Sequence, residues 1–516
     1  MRKWLVVVAL VVVAAGGTFA ALVLYPAHLF RASLDAGIKG LPPGYTASYA
    51  SADYSLLRRH ATLTGFRFAH PEPGAFDVSV DRLEVDHPST DFATAWSSAA
   101  ADPTKVAPNL ALVLGDEVDA EAVAYQDADE SVSLASAHML RPRVFPWAVL
   151  HPGVPSLAEA RAALLTEAHA PQPGDLLPVI RAQAPWILGI ACDGYTAQSL
   201  KATEAMPAAG NMPAGTISYD VRKMESGKSD RGDTASESAD GITVTSPSFG
   251  SITVARVAVA GLTLQQPLTR LLNGETPVPD MLDGIAIKSL SFGPMSAQPP
   301  AGPASSLGTF SLADIAFAGG MLISGTIAFE GFRVNRDQIP TLGAAEMFDQ
   351  LGLDTMTISL SAAYKWDRDK KVMSIANATA KVNELGALSL SVELAGVGAA
   401  ADIPAKAKLT HLLLHYDDAS FADRAIKFAA EQQGGDPASL REAIIAAAQN
   451  LGAAPGTDPA TAATARAVGD FVASPHSLTI ELNPPEPVPL IALFAAGITP
   501  PGRLVPRLGI TVSANR

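Results

Sequence analysis

The sequence predicts an α+β protein: an N-terminal transmembrane helix, a long antiparallel β-meander and a C-terminal helical block. Three observations predict this fold class. One long uncharged apolar run lies near the N-terminus, apolar and polar residues alternate with period two through the middle of the chain, and capped, proline-led segments follow near the C-terminus.

The N-terminal run covers residues 4–25. At 1.5 Å per residue such a helix spans about 33 Å, enough for a hydrocarbon core of about 30 Å. Arg2 and Lys3 precede it, which predicts a cytoplasmic N-terminus and export of the following chain. The alternative is a cleaved signal peptide, whose apolar region is normally about 7–15 residues long. The predicted anchor residues are Trp4, Leu5, Leu10, Leu22, Leu24 and Tyr25.

Period-two alternation predicts the strands, most clearly at residues 357–366 and 388–394. Charged Asp367–Lys371 and the Asn383–Gly386 segment predict turns between them. Short strands with local turns favour an antiparallel meander over a βαβ fold. Further predicted strands are Ala61–Ala69, Ala75–Val85, Leu110–Val118, Gly241–Val259, Ile285–Phe292, Met321–Val334 and Leu508–Ser513.

Capping signals predict the helices. Ser156 and Glu159 form a capping box before Ala160–His169, and Ser420 opens a helix over Phe421–Gln433. Asp436 and Asp458 each precede a proline suited to a first helical turn. The other predicted helices lie near Leu176–Ile190, Ala438–Leu451, Ala460–Val472 and Leu490–Ala496.

Composition and element order predict six regions. Lys223–Asp240 and Pro294–Gly308, rich in Ser, Gly or Pro, are predicted surface loops. The regions are an anchor (1–25), a first β-rich region (26–145), a helical insertion (146–200), the antiparallel meander (201–418), the helical block (419–475) and a closing strand–helix–strand segment (476–516).

Charge and cysteine content exclude several classes. The net charge of −14 argues against a nucleic-acid partner, because phosphate tracking needs clustered Lys and Arg. The single cysteine, Cys192, cannot close an intramolecular disulfide or build a multi-cysteine metal site. It lies in an apolar run, which predicts a core residue.

The motifs that could carry chemistry are incomplete. His411 and His415 lie on a predicted strand, where four residues separate them by roughly 13 Å, too far to share one ion. The acidic runs Asp116–Glu121 and Asp127–Glu130 lack the pattern of a calcium loop and predict a solvated edge or turn. No hydrolase elbow or dinucleotide-binding signature occurs. We therefore expect no catalytic, cofactor-binding or metal-binding residues and no enzyme; an enzyme of a class without short motifs is the alternative.

The layout resembles AsmA-like and YdgA-like envelope proteins of Gram-negative bacteria. The resembling segments are the N-terminal span, Leu41–Tyr45, Tyr54–Phe66, Tyr364–Asp367 through Leu385–Leu388, and Tyr416–Ser420. The resemblance implies an inner-membrane tether and a periplasmic β-sheet curved into an apolar-lined groove, linked in AsmA-like proteins to lipid movement or outer-membrane homeostasis. This chain departs from that class in being short for spanning the periplasm, and its helical block could close a groove.

These expectations combine into one functional hypothesis. We expect a single-pass inner-membrane protein, mostly periplasmic, that has no catalytic activity and binds membrane lipids or supports envelope homeostasis. The alternative is a structural module that binds another envelope protein through a strand edge or the helical block.

Overall fold

The computed structural model describes residues 31, 32, 34, 35, 38, 39 and 45–515, apart from 56, 71–75, 90, 129, 155–176, 207–214, 276–281, 303, 337–343, 399–402 and 493–507. The predicted anchor, the predicted helix at 160–169 and most of the predicted helix at 490–496 lie outside the described residues. Among the residues described, no helix is both long enough and apolar enough to cross a membrane.

The chain divides into two compact units, residues 1–292 with 297–304, and residues 293–296 with 305–516. The strands of the first part, up to β15 at the division, are β1 Thr46–Ser48, β2 Ser51–Ser55, β3 His60–His70, β4 Phe76–Asp86, β5 Leu112–Val113, β6 Glu117–Asp127, β7 Glu130–Leu140, β8 Arg143–Val144, β9 Ile190–Cys192, β10 Gly194–Met206, β11 Gly215–Ser226, β12 Ser229–Asp230, β13 Asp233–Ser246, β14 Gly250–Thr263 and β15 Ala286–Gln298. Its helices are α1 Phe92–Ala101, α2 Pro146–Val149, α3 Leu177–Gly189 and α4 Gln265–Leu272.

Eight long strands of the first unit pair antiparallel in the order β3, β4, β6, β7, β10, β11, β13 and β14. A residue with positive φ shifts the alternation by one position in several of them. In β3, Leu63 and Phe66 are both buried because Gly65, with φ +59°, lies between them. Ala122 in β6 and Ser199 in β10 have the same left-handed backbone. The shift keeps one face apolar along the whole strand, where strict period two would turn it to solvent.

That apolar face forms the core of the first unit. Leu63, Val80, Leu134 and Leu200 are 1–3% exposed, and Leu34 joins the same cluster. Burial of this depth removes the apolar surface from water and leaves these side chains packed against one another. The apolar side of this sheet is therefore buried from solvent.

The second unit is a further antiparallel meander with helices near its end. Its strands are β16 Ser305–Ala318, β17 Met321–Asn335, β18 Thr355–Asp367, β19 Val372–Val382, β20 Gly386–Ala395, β21 Lys408–Asp418, β22 Ser477–Leu482, β23 Val488–Pro489 and β24 Ile510–Ala514. Its helices are α5 Ala344–Leu351, α6 Ile403–Lys406, α7 Phe421–Gln432, α8 Pro437–Ala453 and α9 Pro459–Ala473. Strands β16 to β22 pair in chain order, and β24 pairs with β22.

The helical block begins as its capping residues predict, with one correction. Asp436 accepts a hydrogen bond from the Ser439 backbone N–H at 2.9 Å, and Asp458 accepts one from the Thr461 N–H at 2.9 Å. Ser420 does not cap α7, because its hydroxyl donates to the Glu384 carbonyl instead. The Asp418 carboxylate takes over the capping role and accepts from Ala422 N–H at 2.9 Å.

The antiparallel meander is confirmed, as are the turns at 367–371 and 383–386. The predicted loop Lys223–Asp240 is wrong: β11 and β13 run through it, joined by the short β12. The composition is typical of a loop, but strand pairing outweighs it, because β13 is paired with a long strand on each side, β11 and β14. The predicted loop Pro294–Gly308 is also mostly strand.

Two predicted strands have wrong bounds. Leu110–Val118 is interrupted at Gly115, where an added Cβ would lie 2.7 Å from the Asp86 carbonyl oxygen. Gly241–Val259 is two strands, β13 and β14, which turn around Pro247. Proline lacks the N–H that a central strand donates, so the strand ends there.

We predict that Gly308→Ala destabilises the second unit strongly. Gly308 has φ +62°, and an added Cβ would lie 1.8 Å from the Glu330 carbonyl oxygen. Gly434→Ala is the matched control, because Gly434 has φ +65° with nothing within 4 Å of the added Cβ. Left-handed backbone costs an L-residue about 1–2 kcal/mol, and backbone overlap adds about 1–3 kcal/mol at Gly308 alone. Urea unfolding of both variants measures the difference; equal losses would contradict the close approach.

Candidate functional site

A group of large apolar side chains on the sheet of the second unit is about two-fifths exposed. The exposed fractions are 40% for Ile327, 42% for Phe329, 38% for Phe332, 46% for Leu360 and 40% for Leu388. Contiguous exposed apolar surface of this kind marks binding sites for proteins, membranes or ligands. We call these five residues, together with their neighbour Phe310, the exposed apolar face.

The strand register makes these side chains neighbours. Phe310 pairs with Phe329 across β16 and β17, and their ring centroids lie 4.7 Å apart. Phe329 pairs with Leu360 on β18. Leu360 pairs with Ala380 on β19, which pairs with Leu388 on β20. An uninterrupted apolar row therefore crosses five strands.

The helical block packs at the far side of this row. Leu388 pairs with Tyr416 on β21. The Tyr416 ring lies edge-on to Phe421 of α7 and Phe471 of α9, with ring centroids 6.5 and 6.2 Å away. The first and third helices of the block thus cover the sheet next to the exposed face.

Two buried clusters close the ends of the strands. At one end Trp366 is buried with Met373 and Leu409, and its indole N–H donates to the Val397 carbonyl at 2.8 Å. At the other end Phe348 of α5 is fully buried among residues that include Met356. The exposed apolar face lies between these two packed ends.

Strand geometry gives the size of the open part. On β18 the open part lies between Ile358 and Tyr364, which pack against the clusters at the two ends, and the six-residue step between them at about 3.3 Å per residue covers about 20 Å. Across β16 to β20 the spacing of about 4.8 Å per strand gives roughly 19 Å. This area is large enough for an extended hydrocarbon chain.

The opposite side of the same sheet is polar and internally hydrogen-bonded. Ser361 and Thr379 hydroxyls lie 2.6 Å apart, and His415 Nδ1 lies 2.7 Å from the Thr479 hydroxyl. The Ser389 hydroxyl donates to the His415 carbonyl oxygen. Alternation has thus separated a hydroxyl-rich side from a hydrocarbon side.

The two tyrosines on the apolar side carry no charge near neutral pH. Burial raises the pKa of Tyr364 above its ordinary value. Burial also raises the pKa of Tyr416, and its hydrogen bond to the Asp418 carboxylate adds to the effect. The apolar side therefore presents hydrocarbon and neutral rings to any bound molecule.

The residues that the sequence singled out lie away from this face. His411 and His415 are on β21 as predicted, and each has a partner of its own, Glu481 at 3.3 Å and Thr479 at 2.7 Å. Cys192 is buried as predicted, and desolvation raises the pKa of its thiol. The six predicted anchor residues are outside the described part of the chain.

Residues 379–515, from β19 to the end of β24, match the model of one protein family, described as "Uncharacterized protein". No curated protein and no solved structure matches the chain.

Proposed function

We propose that this protein is a membrane-tethered periplasmic protein that binds lipid on the exposed apolar face and serves envelope homeostasis without catalysis. The observation that carries the proposal is the row of Phe329, Leu360 and Leu388, paired across the sheet and each at least 40% exposed. Full burial of a large apolar side chain is worth about 1.5–3 kcal/mol, so two-fifths exposure forgoes roughly 1 kcal/mol for each residue, and a row of such residues favours a hydrophobic partner.

The geometry favours an acyl chain as that partner. One leaflet of a bilayer with a core of about 30 Å is about 15 Å deep, which is the reach of one chain. The distance of about 20 Å between Ile358 and Tyr364 on β18 accommodates it. The clusters around Trp366 and Phe348 limit the chain at either end, and no charged residue belongs to the row.

The predicted anchor supports the same proposal. A span over residues 4–25, with Arg2 and Lys3 on the cytoplasmic side, would hold the rest of the chain at the outer surface of the inner membrane. Lipid would then reach the face from the membrane to which the chain is tethered.

A second candidate function, binding of another envelope protein, is favoured by helix α8. None of its 17 residues is buried, and Leu451 is 57% exposed. A protein that docked there would leave the exposed apolar face free.

Native mass spectrometry of the full chain, released from a mild detergent, tests the lipid proposal. We expect an adduct of phospholipid mass at one or two copies per chain that survives washing. A chain that is always lipid-free would contradict the proposal and favour the interaction module; crosslinking would then search for a partner at α8.

A further inference from the structure

The polar side of the first unit brings together three side chains of metal-ligating type. Glu117 and Asp119 lie two residues apart on β6, and His138 is the direct partner of Asp119 on β7. One ligand atom from each residue lies within 4.8 Å of the other two. His138 Nδ1 is 2.7 Å from Asp119 Oδ1. All three side chains are half-buried.

The position of this group corrects one prediction. The sequence predicts a solvated edge or turn for the acidic run 116–121, but β6 is an interior strand with β4 on one side and β7 on the other. An interior strand is held by two ladders of hydrogen bonds, so its side chains stand at fixed spacing. The run is therefore part of a rigid surface.

Two carboxylates on the neighbouring strand β4 lie opposite the carboxylates of Glu117 and Asp119 and repel them. Asp86 and Glu84 of β4 lie directly opposite Glu117 and Asp119, and like charges in directly opposed positions destabilise a sheet. The β4 carboxylates have basic partners, because His60 lies 2.5 Å from Asp86 and 3.3 Å from Glu84, and the Arg82 guanidinium lies 2.5 Å from Glu84.

Glu117 differs from Glu84, Asp86 and Asp119, each of which has a histidine beside it. Its carboxylate makes no hydrogen bond and no ion pair with any residue in the described part of the chain. Two opposed carboxylate pairs thus share one side of the sheet, and of the two β6 carboxylates in these pairs Asp119 has a basic partner, His138.

We propose that Glu117, Asp119 and His138 bind a divalent transition-metal cation of the Zn²⁺ type. Two carboxylates and an imidazole form a ligand set that Zn²⁺ accepts, whereas Ca²⁺ and Mg²⁺ prefer oxygen ligands alone. Zinc ligands at about 2.0–2.2 Å from the ion lie roughly 3.5 Å from one another, so modest side-chain rotation closes the observed spacing. Three protein ligands leave a fourth position for water.

The expected role of the cation is to tie β6 to β7 and to neutralise the opposed carboxylates. A cation that binds the folded chain and not the unfolded chain raises the melting temperature by mass action. This proposal concerns the first unit and does not depend on lipid binding.

Zinc binding to the full chain, stripped with EDTA and kept in detergent, tests the site. ZnCl₂ is titrated by competition with a chromophoric chelator, and Co²⁺ serves as a spectroscopic probe. We expect one saturable Zn²⁺ per chain and a visible Co²⁺ spectrum. Glu117→Gln and His138→Ala should each weaken binding about tenfold or more and remove the Co²⁺ bands.

His411→Ala is the matched control, because His411 forms a similar histidine–carboxylate pair, with Glu481 at 3.3 Å, in the second unit. It should bind Zn²⁺ like the wild type. The near-isosteric Glu117→Gln change guards against misfolding, and circular dichroism checks each variant. The proposal is overturned if the wild type shows no saturable site, if both site variants bind like the wild type, or if His411→Ala weakens binding equally.

Discussion

Leu360→Glu is expected to weaken lipid retention by the full chain about tenfold or more. Leu360 is 46% exposed at the centre of the exposed apolar face, so glutamate fits there without disturbing the core. A bound acyl chain would cover the new carboxylate, and burying an unpaired charge costs several kcal/mol. Each 1.4 kcal/mol weakens binding tenfold, so we expect a loss of about tenfold or more in native mass spectra.

Leu413→Glu is the matched control for that prediction. Leu413 lies on the same sheet, but it pairs with Ser391 and Glu481 on the polar side. The control makes the same chemical change away from the hydrocarbon, and lipid should be retained. Because the new carboxylate lies opposite Glu481, we expect the control to melt at a lower temperature than the wild type. Melting temperatures of both variants show whether they are folded. Equal retention by the two variants, or equal loss, would contradict the assignment of the face.

Trp366→Ala is expected to destabilise the second unit by about 3–5 kcal/mol, the usual effect of truncating a large buried aromatic residue. Trp366 is 4% exposed and packs with Met373, Leu394 and Leu409 at one end of the sheet. Its indole N–H also holds the Val397 carbonyl at 2.8 Å. Urea unfolding followed by circular dichroism measures the change in the free energy of unfolding.

Trp366→Phe separates packing from hydrogen bonding. Phenylalanine keeps most of the apolar volume but leaves the Val397 carbonyl without its donor, which costs about 1–3 kcal/mol. We therefore expect the phenylalanine variant to fall between the wild type and the alanine variant. A loss below about 1 kcal/mol for Trp366→Ala would contradict the buried cluster at this end of the sheet.

The alternation of apolar and polar residues predicted the meander. It did not predict which strands have a buried apolar side and which have a solvent-exposed one. Leu63 in β3 and Leu360 in β18 occupy equivalent places in alternating strands, yet one is 2% and the other 46% exposed. Alternation reports which side of a strand is hydrophobic, whereas exposure depends on what the rest of the chain places over it. The exposed apolar face could therefore be found only in three dimensions.

Composition alone predicts a loop where the side chains are small and polar, even when the segment belongs to the sheet. The segment 223–240 contains Ser, Asp and Gly in the proportions of a loop, but pairing with neighbouring strands fixes it as part of the sheet. Residues with positive φ, such as Ala122 and Ser199, add a further difficulty, because they break the period that identifies a strand.

The proposed zinc site was hidden from the sequence for a related reason. Glu117 and Asp119 are close in sequence to each other, but His138 joins them only through the pairing of β6 with β7. The register of that hairpin places His138 opposite Asp119, and a shift of one residue would turn its ring to the other side. A search for ligand spacing along the chain could not find this group.

Photolabelling tests the central claim, lipid on the exposed apolar face, most directly. The full chain is placed in phospholipid nanodiscs that contain a phospholipid with a photoactivatable group in its acyl chain, and the labelled residues are read by tandem mass spectrometry. The account predicts adducts on Phe329, Leu360 and Leu388 and none on Ser361 or Ser389 of the polar side. Labels confined to the polar side or to the first unit, or none in the second unit, would contradict it.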